Sequence, residues 1–389
     1  MKHKIKLAAV CQQVRGVSYT PKDEKEVPTE GYIPILRANN IQEKLEFNDL
    51  IYVRSSKINN KQLLGVGDIL VCASSGSKHL VGKAAIFFSS PFSKISFGAF
   101  CKVVRPQNIY APYLFHFFNS AYYRHTISEI AQGANINNIR NEHLNNLDIY
   151  VPSELEQKRI AGILDKVQSL IALQKQQLEK LDLLIKSKFI DMFGDPSCLE
   201  SVTVPLKTYA QISGGYAFPS DKFLSAGIPI IRISNLQNGS VVSSSKCCFL
   251  PQFLSSHSEY AVQYEDILLA MSGATVGKTA IYKQKNPALL NQRIACLRNI
   301  DKVSCTAFLY IITKMKWFYD SILNLSAGCA QPNISISQIQ GLLVPKASFV
   351  RQRQFSCFYY NIEKQKVLLK NRLASLETLY KSLMQEYFG

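Results

Sequence analysis

The sequence predicts an α+β protein: two duplicated mixed α/β domains separated by two long helices that form an antiparallel coiled coil. Three observations carry this. The chain repeats itself at a spacing of 195 residues, each copy opens on short β-type runs, and each closes on a heptad stripe. Ile33-Pro-Ile-Leu-Arg37 returns as Ile228-Pro-Ile-Ile-Arg232, and Val81-Gly-Lys83 returns as Val276-Gly-Lys278. Gly133, Gln157, Leu181, Lys186-Ser187 and Phe193-Gly194 match Gly328, Gln352, Leu376, Lys381-Ser382 and Phe388-Gly389. Small gaps shift the register to 198 between Asp68-Ile-Leu70 and Asp266-Ile-Leu268, and to 193 between Val151-Pro152 and Val344-Pro345. Collinear matches over nearly the whole chain mean a tandem duplication.

The elements follow in order. Ile69-Leu-Val-Cys72, Ala84-Ala-Ile-Phe-Phe88 and Cys101-Lys-Val-Val104 are strand-like runs parted by Gly and Ser turns. An aromatic-rich helix is expected from about Pro112 to Ala131. The second copy supplies Asp266-Ile-Leu-Leu269, Ala280-Ile-Tyr282 and Ile294-Ala-Cys-Leu297, then a helix from about Thr306 to Leu325. After Val151-Pro152 the period changes. Ile160, Leu164, Val167, Ile171, Gln174, Leu178, Leu181, Ile185, Lys188 and Met192 alternate steps of four and three. Their counterparts are Phe355, Tyr359, Ile362, Lys366, Leu369, Leu373, Leu376, Tyr380, Leu383 and Tyr387. Four heptads with an apolar a/d stripe read as a coiled coil, and two equivalent stripes in one chain can pair with each other. The alternative, an amphipathic helix packed only on its own domain, needs no such unbroken stripe. Gln174 and Lys366 are polar seam positions suited to fixing register. The predicted boundaries are 1–152 and 195–346 for the mixed domains, and 153–194 and 347–389 for the helices.

Composition narrows the function. With 47% hydrophobic and 19% charged residues the chain is globular, and no apolar run reaches the roughly 18 residues of a membrane span. The apolar stretch Leu7 to Cys11 is too short for a signal-peptide core, so a cytoplasmic protein is expected. Ten cysteines without a CxxC pattern predict reduced thiols rather than a disulfide framework or a zinc site. Lys and Arg outnumber Asp and Glu by 45 to 28, a net charge of +17, which points to a polyanion, nucleic acid first. The excess is shared, 25 against 17 in residues 1–194 and 20 against 11 in residues 195–389.

One motif is a decoy. Gly273-Ala-Thr-Val-Gly277-Lys278-Thr279 resembles a P-loop but has three residues between its glycines where four are needed. The first copy, Gly76-Ser-Lys-His-Leu-Val-Gly82-Lys83-Ala84, has five, and Ala84 replaces the Mg²⁺-binding hydroxyl. No GxSxG, HExxH, GxGxxG after a strand or metal-spaced carboxylate cluster occurs, and the six histidines do not repeat between copies. No catalytic and no metal-binding residue is expected. The Asn/Asp-Pro-Pro-Tyr/Phe loop of amino-methyltransferases is missing too, so chemistry on DNA would come from another chain.

Candidate DNA contacts are polar or basic positions near turns in both copies. Arg37, Asn39 and Asn40 match Arg232, Ser234 and Asn235. Arg suits guanine O6/N7 and Asn suits adenine N6/N7. Ser75, Ser77, Lys78 and Lys83 match Ser272, Thr275 and Lys278, with the lysines suited to phosphates. Asn135, Asn137 and Asn138 match Gln331 and Asn333 more loosely. Gln292-Arg293 stands against Gly98-Ala99, and such divergence is what two heads reading different sequences need. The competing reading is that the repeated Arg and Asn residues cap turns inside each domain.

Two such domains, each followed by a long heptad helix, resemble the specificity (S) subunit of type I restriction-modification systems. The likeness rests on the paired Ile-Pro-Ile-Leu-Arg37-Ala-Asn-Asn-Ile and Ile-Pro-Ile-Ile-Arg232-Ile-Ser-Asn-Leu segments, and on Gly67-Asp-Ile-Leu with Glu265-Asp-Ile-Leu. It rests also on Ser96-Phe-Gly-Ala-Phe-Cys-Lys-Val-Val-Arg105-Pro and on Val151-Pro-Ser-Glu-Leu-Glu-Gln-Lys-Arg-Ile, which opens the first helix. The second copy of that opening keeps the Val-Pro and Arg-Gln elements and departs elsewhere. The resemblance implies a non-enzymatic chain with two target-recognition domains, each reading half of a bipartite double-stranded DNA site, and helices that set the spacer. It implies two modification subunits that methylate adenine using S-adenosylmethionine, and restriction subunits that use ATP and Mg²⁺. The alternative is a coiled-coil nucleic-acid-binding adaptor outside any restriction system.

Overall fold

Alternation along one strand in each copy explains the architecture. Ile69, Leu70, Val71 and Cys72 are all buried, but Ile69 and Val71 join one apolar cluster and Leu70 and Cys72 another. Successive side chains of a strand leave on opposite faces. This strand is therefore covered on both sides, by helices on one and by a second sheet on the other. Ile267 and Leu269 against Leu268 and Ala270 repeat the arrangement.

A computed structural model describes the chain apart from residues 1–3, 78–79, 133–137, 197, 199–201, 238, 243–247, 250–251 and 327–332. It divides into two compact units, Met1–Lys175 with Asn371–Gly389, and Gln176–Lys370.

In the first unit β1 (Lys4–Lys6) pairs antiparallel with β10 (Asp148–Tyr150). β2 (Cys11–Arg15), β9 (Cys101–Pro106), β6 (Ile69–Cys72) and β7 (Ala84–Ile86) form an antiparallel sheet in that order. β3 (Glu24–Lys25), β5 (Ile51–Arg54), β4 (Tyr32–Leu36) and β8 (Ser96–Phe97) form the second sheet, with β4 and β8 parallel. α1 (Ala111–Phe117), α2 (Ala121–Gln132) and α3 (Asn141–Asn145) cover the first sheet, and α4 (Glu154–Phe193) follows.

The second unit repeats this as β11 (Thr203–Pro205), β12 (Ala210–Gly214), β13 (Ile228–Ile231), β14 (Leu236–Gln237), β15 (Ser240–Val241) and β16 (Cys248–Phe249). β17 (Ala261–Val262), β18 (Ile267–Ala270), β19 (Thr279–Ile281), β20 (Ala288–Leu290), β21 (Ile294–Asn299) and β22 (Leu343–Pro345) complete the strands. Its main sheet runs β12-β21-β18-β19-β15-β14 and its second sheet β16-β13-β20-β17. The helices are α5 (Gln252–Ser256), α6 (Thr306–Ile312), α7 (Lys316–Ser326), α8 (Ile336–Gly341) and α9 (Phe349–Phe388).

One expectation is corrected twice. The single helices read from Pro112 to Ala131 and from Thr306 to Leu325 are each two helices, α1 with α2 and α6 with α7. The chain turns at Phe118–Ser120, where Ser120 Oγ accepts the Tyr123 N–H at 3.1 Å and starts α2. At Thr313–Met315 the Thr313 hydroxyl donates back to the Tyr310 carbonyl at 2.7 Å. Both turns let an aromatic-rich segment fold back on its own sheet.

A buried ion pair ties each head together. Asp68, 2% exposed, accepts Arg105 Nε at 2.8 Å and Nη2 at 2.7 Å, and also the Gly65 N–H at 2.8 Å. Asp266 accepts Arg298 Nε at 2.8 Å and Nη2 at 2.6 Å, and the Gln263 N–H at 2.7 Å. Bidentate geometry with the spare lone pairs satisfied is what offsets the cost of burying a carboxylate. The repeated Asp-Ile-Leu segment is thus a structural element.

Within each unit the long helices run antiparallel. In the first, Ile160 and Leu164 are buried with Met384 and Phe388, Val167 is buried further along, and Gln168 Nε2 donates to Tyr380 Oη at 2.7 Å. In the second, Ile185 and Phe189 are buried with Phe355, Tyr359 and Ile362, and Lys366 Nζ lies 2.6 Å from Asp182. Early positions of one helix meet late positions of the other. Ile171, Leu178, Leu181, Leu369, Leu373, Leu376 and Leu383 are half-buried along the stripe. Lys366, read as a polar seam residue, is held there by Asp182 and Glu363.

Candidate nucleic-acid interface

Arg37 ends β4 and opens a tight turn, Ala38–Asn40. Its N–H donates to Asn40 Oδ1 at 2.8 Å, and Asn40 Nδ2 donates to the Asn48 carbonyl at 2.8 Å. The second head does the same: Arg232 N–H to Asn235 Oδ1 at 2.8 Å, Asn235 Nδ2 to the Val242 carbonyl at 2.6 Å. Asn40 is 1% exposed and Asn235 6%. Both amides are spent on the backbone and buried, so Asn40 and Asn235 hold turns and offer no edge to a base. That corrects their reading as contact residues. Asn39 and Ser234, one position earlier, are exposed.

The Arg side chains are half-buried. Arg37 Nη2 donates to the Asp49 carbonyl at 2.7 Å, and the Arg232 guanidinium lies 5.8 Å from the Phe223 ring centroid. Each guanidinium is aimed by its neighbours, which reduces the entropy lost on binding.

The structure joins clusters that are apart in sequence. Lys83 Nζ donates to Gln42 Oε1 at 2.7 Å, and Gln42 Nε2 donates to the Asn39 carbonyl at 2.9 Å, so Lys83 borders the Arg37 turn. Ser74 bridges Asn138, and Ser272 bridges Asn333, which sets Ser75 and Ser272 beside the asparagine segment. Ser77 N–H donates to Ser75 Oγ at 3.2 Å. Thr275 is half-buried and Lys278 exposed. Lys78, Asn135, Asn137 and Gln331 lie outside the described residues.

Gly82 and Gly277 explain the decoy motif. Both have positive φ, +78° and +81°. A Cβ would lie 2.6 Å from Ile127 in the first head and 2.9 Å from Tyr319 in the second. The Gly82 and Gly277 N–H groups donate to the Cys72 and Ala270 carbonyls at 2.8 and 3.0 Å. A phosphate cradle needs such groups free. The Gly-Lys pair is a helix-packed turn that displays a lysine.

Gln292 and Arg293 are exposed. The backbone register pairs Arg293 with Phe100: Met271 N–H donates to the Arg293 carbonyl as Ala73 N–H donates to that of Phe100. The first-copy counterpart is therefore Ala99-Phe100 rather than Gly98-Ala99.

Lys102 was not singled out in the sequence. It sits on β9 opposite Arg15 and donates to Asn141 Oδ1 while only 8% exposed. Burial, with Arg15 nearby, pushes its pKa down to about 8. The one clue was a lysine inside the apolar run Cys101-Lys-Val-Val104. His116, fully buried, meets Asp165 on α4 through Nε2 at 2.8 Å. Among the described residues no group of three or more His, Cys, Asp or Glu is placed to hold a metal ion. No helix among them is long and apolar enough to cross a membrane.

The Arg turn and the Gly-Lys turn recur in both heads, with Arg37, Arg232 and Lys83 half-buried and Lys278 exposed. The family model for the type I restriction modification DNA specificity domain matches residues 3–183 and again 199–377. The chain belongs to this specificity-domain family. It is similar to the StySPI type I specificity subunit of Salmonella potsdam, 27% identical over 98% of this chain and 87% of that one. It is 28% identical over the same shares to the EcoKI specificity subunit of Escherichia coli K12. The solved type I S subunit from M. genitalium matches in fold, with a TM-score of 0.60 at 16% identity over 100% of this chain and 96% of that one. Each matched stretch takes in two sheets, their short helices and most of one long helix.

Proposed function

We propose that each specificity domain reads one half of a bipartite duplex site and that the paired helices set the spacer between the halves. Most support comes from the repetition of one surface, on which Asn39, Ser234 and Lys278 are exposed and Arg37, Arg232 and Lys83 half-buried. Arg37, Asn39 and Lys83 occupy the places that Arg232, Ser234 and Lys278 occupy in the second head. Arg37, Asn39, Arg232, Gln292 and Arg293 are assigned to base edges. Ser75, Ser77, Lys83, Ser234, Ser272, Thr275 and Lys278 are assigned to phosphates. Affinity then rests on a charge excess of +17 shared between the halves.

The chain acts as a recognition subunit without catalysis of its own. Its proposed partners are two modification subunits, which bind S-adenosylmethionine and methylate adenine, and restriction subunits, which use ATP and Mg²⁺. The test is the methylome of the host with and without this gene. A bipartite adenine-methylated motif should disappear on deletion. A methylome unchanged by deletion would sink the reading.

A further inference from the structure

At one loop pair the two heads keep the same backbone pairing and change its side chains. In the first head Val17 bridges Gly98 in parallel, and in the second Tyr216 bridges Asn291. The framing bonds match: Val17 N–H to the Phe97 carbonyl and Tyr216 N–H to the Leu290 carbonyl, both 2.8 Å. Gly16 and Gly215 make the close approach. A Cβ there would lie 2.0 Å from the Gly98 carbonyl oxygen and 2.3 Å from that of Asn291. A side chain at either glycine would push the loops apart, so the backbone is fixed in both heads.

The side chains on this fixed frame diverge. The first head shows Ala99 and Phe100, and the second shows Tyr216, Gln292 and Arg293, while Val17, at the place of Tyr216, is buried. Tyr216 is 40% exposed, with Phe218, His257 and Tyr260 rings at 5.0, 5.0 and 5.3 Å. Phe100 is 69% exposed. A rigid frame with variable tips, aromatic and charged together, is the economy of a recognition surface.

We propose that this loop pair sets base preference, through Tyr216, Gln292 and Arg293 in the second head and Ala99 and Phe100 in the first. The assignment rests on the bipartite-site reading and adds to it which residues make the heads differ. Arg293 offers a bidentate fork to guanine O6/N7, Gln292 an amide to adenine N6/N7, and the ring of Tyr216 an apolar face to a base edge. Phe100 and Ala99 offer apolar contact alone, which suits a thymine methyl, so the first head takes its polar readout from the Arg37 turn. The ring cluster orients Tyr216 before DNA arrives.

The test uses the assembled methyltransferase complex in its host, read by methylome sequencing, with melting temperature as a folding control. Arg293→Lys keeps the charge and loses the fork. It should relax one position of one half-site by about ten- to a hundredfold while the other half-site and the spacer stay constant. Phe100→Arg, at an exposed site, should alter the opposite half-site only. A folded complex whose half-sites are unchanged in both variants would overturn the assignment and leave the bipartite reading standing. Equal change in both half-sites for one variant would also overturn it. Loss of any gene-dependent bipartite motif in the unsubstituted chain would be the separate failure of the underlying reading.

Discussion

Asn39 and Asn40 are neighbours with different tasks, and burial separates them. Asn40→Ala leaves the Arg37 N–H and the Asn48 carbonyl without their partner in a buried turn, which costs about 1–3 kcal/mol. The melting temperature should fall. Asn39→Ala should leave melting unchanged and weaken DNA binding, and calorimetry with a binding titration on both variants separates the two roles. Lys102 gives a second prediction at this scale. Its pKa lies near 8 when folded and at the ordinary 10.5 when unfolded. Between those values the unfolded chain holds more protons, so stability rises with pH across that window and is flat below it. Lys102→Met should remove that part of the slope in urea titrations from pH 7.5 to 10, and an identical slope in both proteins would refute the assignment. Arg105 and Arg298 behave oppositely: the hydrogen bonds they donate to Asp68 and Asp266 raise their pKa further, so both stay charged.

At the scale of elements, Gln157 and Gln352 are joints. Gln157 Oε1 accepts the Tyr110 N–H at 2.8 Å and its Nε2 donates to the Pro152 carbonyl at 2.8 Å, which fastens the start of α4 to the start of α1. Gln352 does the same for α9, with the Cys305 N–H and the Val303 and Ala347 carbonyls. Each helix therefore leaves its head in a fixed direction, and its length transmits to the DNA. Adding one heptad to both helices lengthens each by about 10 Å at 1.5 Å per residue. That is roughly three base pairs of duplex at 3.4 Å each. The methylated motif should gain about three spacer positions with unchanged half-sites, and altered half-sites with a constant spacer would refute the ruler role. The heptad stripe was legible in the sequence because its period is local. The breaks at Phe118–Ser120 and Thr313–Met315 were not, since an aromatic run keeps helical spacing through a turn. Strands of two or three residues, such as β3 and β8, exist by pairing with distant partners and have no period to read. The repeat revealed Arg37, Lys83 and Gln157 as matched positions. It could not show that Asn40 faces inward, because a turn asparagine looks the same in sequence on either side, nor that Gln157 bonds a backbone group 47 residues away.

At the scale of the whole molecule the repeat and the folded unit do not coincide. The first unit takes residues 371–389, and the second takes residues 176–193. Phe388 lies 5.0 Å from Tyr113 in the first unit, and Phe193 lies 4.9 Å from Phe308 in the second. These are the same pair shifted by 195, so each head is closed by the end of the helix that belongs to the other repeat. Two consequences follow for experiment. Because each unit carries its own base-reading Arg, Arg37→Ala should weaken or relax one half-site by about 1–3 kcal/mol, and Arg232→Ala the other. Loss at both half-sites from one substitution would mean a structural role, as read from motif preference in the methylome. The second consequence concerns the fragment 1–194. Alone, it leaves Tyr113, Phe117, Ile160 and Leu164 without Met384 and Phe388, and leaves its own Phe189 and Phe193 without a cover. The uncovered end is the equivalent of the missing cover. Two copies can therefore close each other by exchanging helix ends, a symmetric swap of the kind duplication leaves available. The fragment should be a dimer by light scattering. Phe193→Asp, which puts a charge into the exchanged contact, should convert it to a monomer, and a fragment that is monomeric and stable without this substitution would show that the head closes without its borrowed helix.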